Sequence, residues 1–296
     1  MDATLFCFGL GYSALAFARR LQAAGWRVVG TCRDPARAAS FAAAGIEALP
    51  FDRDRRLADA ARRLAEADAV LSSVPPDAAG DPVLDCHAAD LANAAAGGRL
   101  RWVGYLSTTG VYGDRGGGWV DESSALRPSG ERGRRRVAAE EGWLALWRRH
   151  RLPVHLFRLA GIYGPGRNAL VALREGSAKR VIKPGQVFSR IHVDDIAAVL
   201  AASLARPNPG AAYNVADDDP APPSEVIEEA ARLLGLPPPP AVPFEAAALS
   251  AMARSFYDDN KRTANRRIKE ELGVVLRYPD YRAGLAALAA AGEGAA

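Results

Sequence analysis

Lysine is nearly missing from this chain. Of 38 basic residues among 296, only Lys179, Lys183, Lys261 and Lys269 are lysines, so arginine carries the positive charge. Beside the abundant alanine, this scarcity reads as a coding bias rather than as a surface built for nucleic acid. Acidic residues are interspersed throughout and the formal net charge is only +4, whereas a phosphate-tracking face segregates its charge. No nucleic-acid partner is expected. Cysteine is sparse as well: Cys7, Cys32 and Cys86 stand far apart with no CxxC spacing. That argues against a disulfide framework or a zinc site and suits a reducing, cytoplasmic compartment.

Long apolar runs are also lacking. None approaches the roughly 18–20 residues that a membrane helix needs, so no membrane partner is expected. The opening "MDATLFCFGLGYSALAF" is apolar, but it starts acidic and has no basic n-region, which argues against a secretory signal. What is present is an ordinary globular balance, 49% apolar and 24% charged, enough for one large α/β domain or two lobes sharing a core.

Short apolar runs alternate with amphipathic ones through the first half. Strands are expected at Thr4–Gly9, Arg27–Cys32, Ile46–Phe51, Ala69–Val74, Arg101–Ser107 and Val154–Ala160. Helices are expected at Ser13–Ala24, Pro35–Ala44, Arg55–Ala65, Val83–Ala96 and Glu131–His150. Such alternation implies βαβ units, a doubly wound parallel sheet with helices on both faces. Beyond Gly161 the pattern loosens. "IHVDDIAAVLAASLA" passes from strand end to helix, "AAYNVAD" is a short strand, and "PPSEVIEEAARLLG" is a helix with Ser224 as its expected N-cap. The expected division is a Rossmann domain over 1–162 with part of 191–217, a discontinuous substrate lobe over 163–190 and 218–288, and a flexible tail over 289–296.

The segment "TLFCFGLGYSALAF" sets Gly9, Gly11 and Ala14 as GxGxxA between the first strand and the first helix. Gly9 permits a tight turn, Gly11 lets backbone approach a pyrophosphate, and Ala14 lets helix and strand pack closely. The helix N-terminus then offers unpaired N–H groups to the anion. Dinucleotide binding is expected here, through Gly9, Leu10, Gly11, Tyr12 and Ser13. The second strand ends "VVGTCRDP" with no acid to hold both ribose hydroxyls. Arg33 suits a 2′-phosphate, so NADP is the expected cofactor, with NAD the alternative.

"YLSTTGVYGD", "LAGIYGPGR", "RIHVDDIA" and "YNVAD" occur in an order and spacing that resemble the extended short-chain dehydrogenase/reductases, the NAD-dependent epimerase/dehydratase group, from Thr4 to about Leu288. The turn departs from that family's usual GxxGxxG, as in its atypical members. The resemblance implies a Rossmann domain with a small C-terminal substrate lobe. It implies that Asp52 approaches the adenine, that Ser72, Ser73 and Pro75 line the cofactor channel, and that Thr108 is the catalytic hydroxyl. It also implies pairing of two copies through the long helices, here flanking Trp143 and Trp147.

One departure bears on chemistry. The family carries Tyr-x-x-x-Lys on the helix after the fifth strand, where this chain reads "RGRRRVAAE". Arg132 takes the tyrosine position, Arg136 the lysine position and Glu140 that of a downstream acid. A guanidinium stays charged above pH ~12 and cannot act as the acid at neutral pH. Arg136 still has donors for the nicotinamide ribose. Four arginines in the first turns also oppose the helix dipole, at roughly 0.3–1 kcal/mol each when exposed. Either an anion, from cofactor or acidic small-molecule substrate, sits there, or this is a solvated, internally paired face. By the resemblance Tyr112 and Tyr163 lie in loops bordering the cleft; Tyr112, in "VYG", is read as structural, and Tyr163 is the substitute expected for the missing tyrosine. His192 is read first as a structural hydrogen-bonder, Asp195 as an acid at the start of its helix, and Arg167 and Arg190 as groups that either meet an anionic substrate or face water. Two functions stay open: an oxidoreductase or epimerase, and a dinucleotide-binding protein with reduced catalysis that senses redox state or docks a partner.

Overall fold

The computed structural model describes residues 3–294. Its strands are β1 (Thr4–Phe8), β2 (Arg27–Cys32), β3 (Glu47–Pro50), β4 (Ala69–Ser72), β5 (Trp102–Thr108), β6 (Trp119–Val120) and β7 (Val154–Leu159), then β8 (Gly161–Tyr163), β9 (Arg180–Ile182), β10 (Arg190–His192), β11 (Ala212–Val215), β12 (Ala241–Pro243) and β13 (Arg262–Thr263). The helices are α1 (Tyr12–Ala23), α2 (Ala36–Ala43), α3 (Ala60–Ala65), α4 (Pro82–Ala96) and α5 (Glu131–His150), followed by α6 (Ala169–Arg174), α7 (Val193–Ala205), α8 (Pro223–Leu234), α9 (Ala251–Ser255), α10 (Arg266–Glu270) and α11 (Tyr281–Ala290).

Seven strands form one parallel sheet in the order β3-β2-β1-β4-β5-β7-β11, the Rossmann winding. β1 shows why both faces must be covered, since every residue in it is buried. Leu5 and Cys7 join one apolar cluster with Ala14 and Phe17 of α1 and Ile196 and Leu200 of α7. Phe6 and Phe8, one register step away, join the other cluster with Leu64 of α3, Val83 of α4 and Trp143 of α5. The winding reverses between β1 and β4, which opens a crevice beyond their carboxyl ends.

The expected elements are present, with three instructive differences. The helix expected from Arg55 starts only at Ala60. Residues 52–55 form a reciprocal backbone turn instead, and the Leu57 N–H donates to His87 Nε2 at 3.2 Å. Ser224 is not the cap of α8: Pro222 holds that position, with no side-chain bond. Residues 289–294 are not free. α11 runs to Ala290, and the Glu293 carboxylate accepts from Gly166 N–H and Asn168 Nδ2, each at 3.0 Å. Ala295 and Ala296 lie outside the described residues.

Segments after β7 build a smaller layer over the crevice. Tyr163, Leu170, Ala230, Tyr281, Leu285 and Leu288 share one cluster between α6, α8 and α11. β9 pairs with β12, β8 with β10 and β6 with β13, all parallel. Trp143 lies inside the molecule, stacked on Tyr105 and bonded to Asp81 at 3.0 Å.

A buried polar network ties the central strands to α5. Glu140 is 2% exposed and Arg158 of β7 is 6% exposed, and they meet at 2.8 Å. Ser107 of β5 donates to the same carboxylate at 2.5 Å. Arg158 also donates to the Tyr112 hydroxyl at 2.9 Å, which donates to Asn214 of β11 at 2.7 Å. Removing one partner strands the other charge in the interior, so Glu140→Ala should lose about 3–5 kcal/mol in urea unfolding. The double substitution Glu140→Leu/Arg158→Met should lose less than the sum of its parts, and additive losses would show that the pair is not coupled.

Candidate functional site

The glycine turn is built by crowding. Gly9 has φ +86°, and a Cβ there would lie 2.8 Å from Ser73 Oγ and 3.2 Å from Val74 Cγ2. The Gly9 N–H donates to Thr31 Oγ1 at 2.9 Å, and Ser73 Oγ donates to the Gly9 carbonyl at 2.6 Å. Gly11 is open by contrast, with nothing nearer than 3.7 Å to its missing Cβ. It precedes α1 in extended conformation and supplies no side-chain cap, so the first-turn N–H groups of α1 face out unpartnered by a side chain. Ala14 is fully buried against the sheet, as the spacing requires.

Not every turn residue offers itself to a ligand. Leu10 donates its N–H to the Thr31 carbonyl at 2.8 Å and buries its side chain beside Gly30, so it is structural rather than a donor to an anion. Ser13 is buried in the first turn of α1. Tyr12 reaches sideways: its hydroxyl donates to the Pro165 carbonyl at 2.9 Å, and the Arg167 guanidinium lies 5.9 Å from its ring centre. Burial pushes this phenol up to about 12, with Arg167 opposing the shift.

Arg33 and Asp52 are brought together at the ends of β2 and β3. Arg55 Nη2 donates to Asp52 Oδ2 at 2.9 Å and to the Arg33 carbonyl at 3.0 Å. The Arg33 side chain is exposed and, among the described residues, makes no ion pair. At the end of β4, Ser72 is fully buried, below any channel wall, while Ser73 is half-buried and Pro75 exposed.

Thr108 closes β5 half-buried. Its Oγ1 accepts from the Gly110 N–H at 3.1 Å, which starts a single 3-10 turn over Thr109–Tyr112. The arginines of α5 divide their roles. Arg134 and Arg135 both pair with Glu131, at 2.9 and 3.1 Å, the internally paired face that the spacing allows. Arg132 is exposed, with its guanidinium 5.7 Å from the Phe256 ring centre. Arg136 turns to the sheet and donates to the Leu106 carbonyl at 2.7 Å and the Tyr105 hydroxyl at 3.0 Å.

Tyr163 is placed differently from the expected substitute acid. It is 8% exposed, its hydroxyl donates to the Asp280 carbonyl at 3.3 Å, and it fills the space left by Gly284 of α11. Burial raises this phenol, which suits packing rather than proton donation. His192 caps α7, accepting from the Asp194 N–H at 3.1 Å, and burial lowers its pKa. Asp195 does not serve its own helix start alone: its carboxylate accepts from the Arg277 and Tyr278 N–H groups at 2.8 and 3.0 Å. Arg190 is held by the Phe188 and Ala221 carbonyls at 2.8 and 3.0 Å.

Asp217 ends the "YNVAD" motif after β11 and is 1% exposed, a burial that its place in an acidic run did not signal. Burial pushes its carboxyl up to about 8, with Arg190 opposing. Among the described residues no group of three or more His, Cys, Asp or Glu could hold a metal ion, and no helix is long and apolar enough to cross a membrane.

Comparison with known proteins agrees with this geometry. The model of the NAD dependent epimerase/dehydratase family matches residues 9–216. Protein YeeZ of Escherichia coli K12 is 31% identical over 287 residues, covering 92% of this chain and 95% of its own. A functionally unknown conserved protein from Silicibacter pomeroyi DSS superposes with TM-score 0.89 at 53% identity, over 99% of this chain and 100% of its own. The dTDP-glucose 4,6-dehydratase of Bacillus anthracis Ames, in complex with NAD, superposes with TM-score 0.75 at 17% identity, over 97% and 94%.

Asp217 generates a pH signature. Its folded pKa of about 8 exceeds the unfolded value near 3.8, so the folded chain holds a proton that the unfolded chain releases between those limits. Its contribution to stability therefore falls as pH rises from about 4 to about 8 and is flat above. Asp217→Asn should remove that slope, read as the difference between mutant and wild-type urea midpoints at pH 5 and pH 8.5. An equal difference at both pH values would contradict the assignment.

Proposed function

The chain belongs to the NAD dependent epimerase/dehydratase family, and from that premise we propose that it is an NADP(H)-binding oxidoreductase or epimerase acting on a small molecule beside Thr108. The carrying observation is the cradle at the end of β1. Only glycine fits at Gly9, Gly11 leaves the approach open, and α1 presents uncapped N–H groups. These residues fit a pyrophosphate.

On this reading the Tyr12 and Ser13 backbone, with Gly9 and Gly11, holds the pyrophosphate. Asp52 meets the adenosine, Ser73 and Pro75 border the channel, and Arg33 binds the 2′-phosphate that distinguishes NADP. When bound, the dinucleotide supplies or accepts a hydride at C4 of the nicotinamide. The chain's own groups bind and orient. The Gly110 N–H fixes Thr108 Oγ1 as an acceptor, which leaves the hydroxyl proton to be donated to a substrate oxygen. Two Arg136 bonds go to β5, and its remaining donors would meet the nicotinamide ribose. Arg132, exposed on the same helix, would meet an acidic group of the substrate.

A second reading is favoured by one observation. Arginine stands at both positions of the missing acid–base pair, and Tyr163 is packed away. A dinucleotide-binding protein with reduced catalysis, serving as redox sensor or docking module, would need neither group.

Calorimetric titration separates the cofactor claims. Arg33→Ala should weaken NADPH binding by about tenfold or more while leaving NADH almost unchanged. An unchanged NADPH affinity defeats the 2′-phosphate assignment. Function is tested by following NADPH absorbance across carbonyl, alcohol and nucleotide-sugar compounds. With a substrate in hand, Thr108→Val should lower kcat by about 10²-fold or more. Saturable NADPH binding without turnover across that set would favour the second reading.

A further inference from the structure

We propose that Arg53 is a positioning residue that holds the loop after β4 as the outer wall of the adenosine end of the dinucleotide groove. The inference rests on the dinucleotide reading above and adds a residue that neither the glycine turn nor the ribose position calls for.

Arg53 directly follows Asp52 at the carboxyl end of β3. Its guanidinium spans to the loop that carries Ser73 and Pro75 away from β4. Nε donates to Asp77 Oδ2 at 2.6 Å and Nη2 to Asp77 Oδ1 at 2.8 Å, a bidentate fork. Nη2 also reaches the Gly80 carbonyl at 3.1 Å, and Nη1 reaches Asp85 of α4 at 2.7 Å. Four bonds therefore leave one side chain, and all of them land within residues 77–85.

The loop is folded around this cation. The Asp77 N–H donates to the Gly80 carbonyl at 2.9 Å, and the Ala79 N–H donates to Asp77 Oδ1 at 2.8 Å. Gly80 has φ +137°, and a Cβ there would stand 3.0 Å from Asp85 Oδ2, so glycine is what lets that carboxylate close in. The Arg53 hydrogen bond is the first cause holding the Asp77 carboxyl below its usual range.

An isolated exposed pair adds little, but a bidentate fork within a network of charges is the recognised exception. This network sits outside the apolar clusters and joins two connections at the carboxyl end of the sheet, those leaving β3 and β4. One carries Asp52, expected at the adenine. The other begins at Ser73, whose hydroxyl is bonded to Gly9. Fixing their separation presets a slot before any ligand arrives, and preorganisation of that kind lowers the ordering cost of binding. Arg53 pairs with one carboxylate on the loop and one on α4, so the wall finds its cation within the chain rather than in a ligand.

The test uses the full-length chain with NADPH and with 2′,5′-ADP, which carries the adenosine end alone. Arg53→Met keeps the stem and removes the fork, and should weaken both ligands by about tenfold, equivalent to about 1.4 kcal/mol. Hydrogen exchange in residues 74–81 should rise together with that loss. Arg53→Lys keeps the charge without the bidentate geometry. It should also weaken both ligands, and it serves as a second reading should the methionine variant fold poorly. Wild-type affinity for 2′,5′-ADP in either folded variant overturns the inference alone. Failure of the unmutated chain to bind either ligand overturns the dinucleotide reading, and this inference with it.

Discussion

The pairing of Arg158 with Glu140 governs how the centre of this molecule is assembled. One buried carboxylate gathers a guanidinium from β7 and a hydroxyl from β5, while standing on α5. The guanidinium passes the contact on to Tyr112, and Tyr112 passes it to β11. Such a network is favourable only when every member is satisfied, because the low-dielectric interior penalises an orphan more than it rewards a pair. It therefore specifies one register between α5 and the sheet. Thr108 lies next to Ser107 in β5, and Arg136 lies one turn before Glu140, so both inherit their positions from it.

The sheet was readable from residue order because parallel strands buried on both faces show as short, continuous apolar runs between helical stretches. The glycine turn was readable because its spacing answers a steric demand that Gly9 now shows directly. Residues acting through backbone accounting were less visible. Leu10 has the spacing of a phosphate-binding turn, yet its N–H belongs to Thr31. Asp195 looks like an ordinary first-turn acid, although its partners lie more than 80 positions away. Tyr163 sits in a motif bordering the cleft, but a glycine on α11, far along the chain, draws it inward. Local spacing carries no record of such distant partners, so these roles could not be read from the residues alone.

The arginine-rich start of α5 resolves into separate tasks. Two guanidinia balance Glu131, one stacks on an aromatic ring and one braces β5. An isolated helix would find this cluster unfavourable against its own dipole. In the folded chain two of the cations share Glu131 and the other two turn to separate neighbours, so the four do not point to one partner. The ionisable groups at the start of α5 are thus engaged chiefly within the chain itself.

Tyr12 carries a last implication. It is the opening residue of α1, directly after the glycine cradle, yet its oxygen is fastened to Pro165 in the lobe across the crevice. One rigid ring thus bolts the floor of the molecule to its roof. Residues 164–167 cannot shift without breaking that bond or dragging the opening turn of α1. The turn after β1 and the segment after β8 are thereby moored to each other through a single phenol.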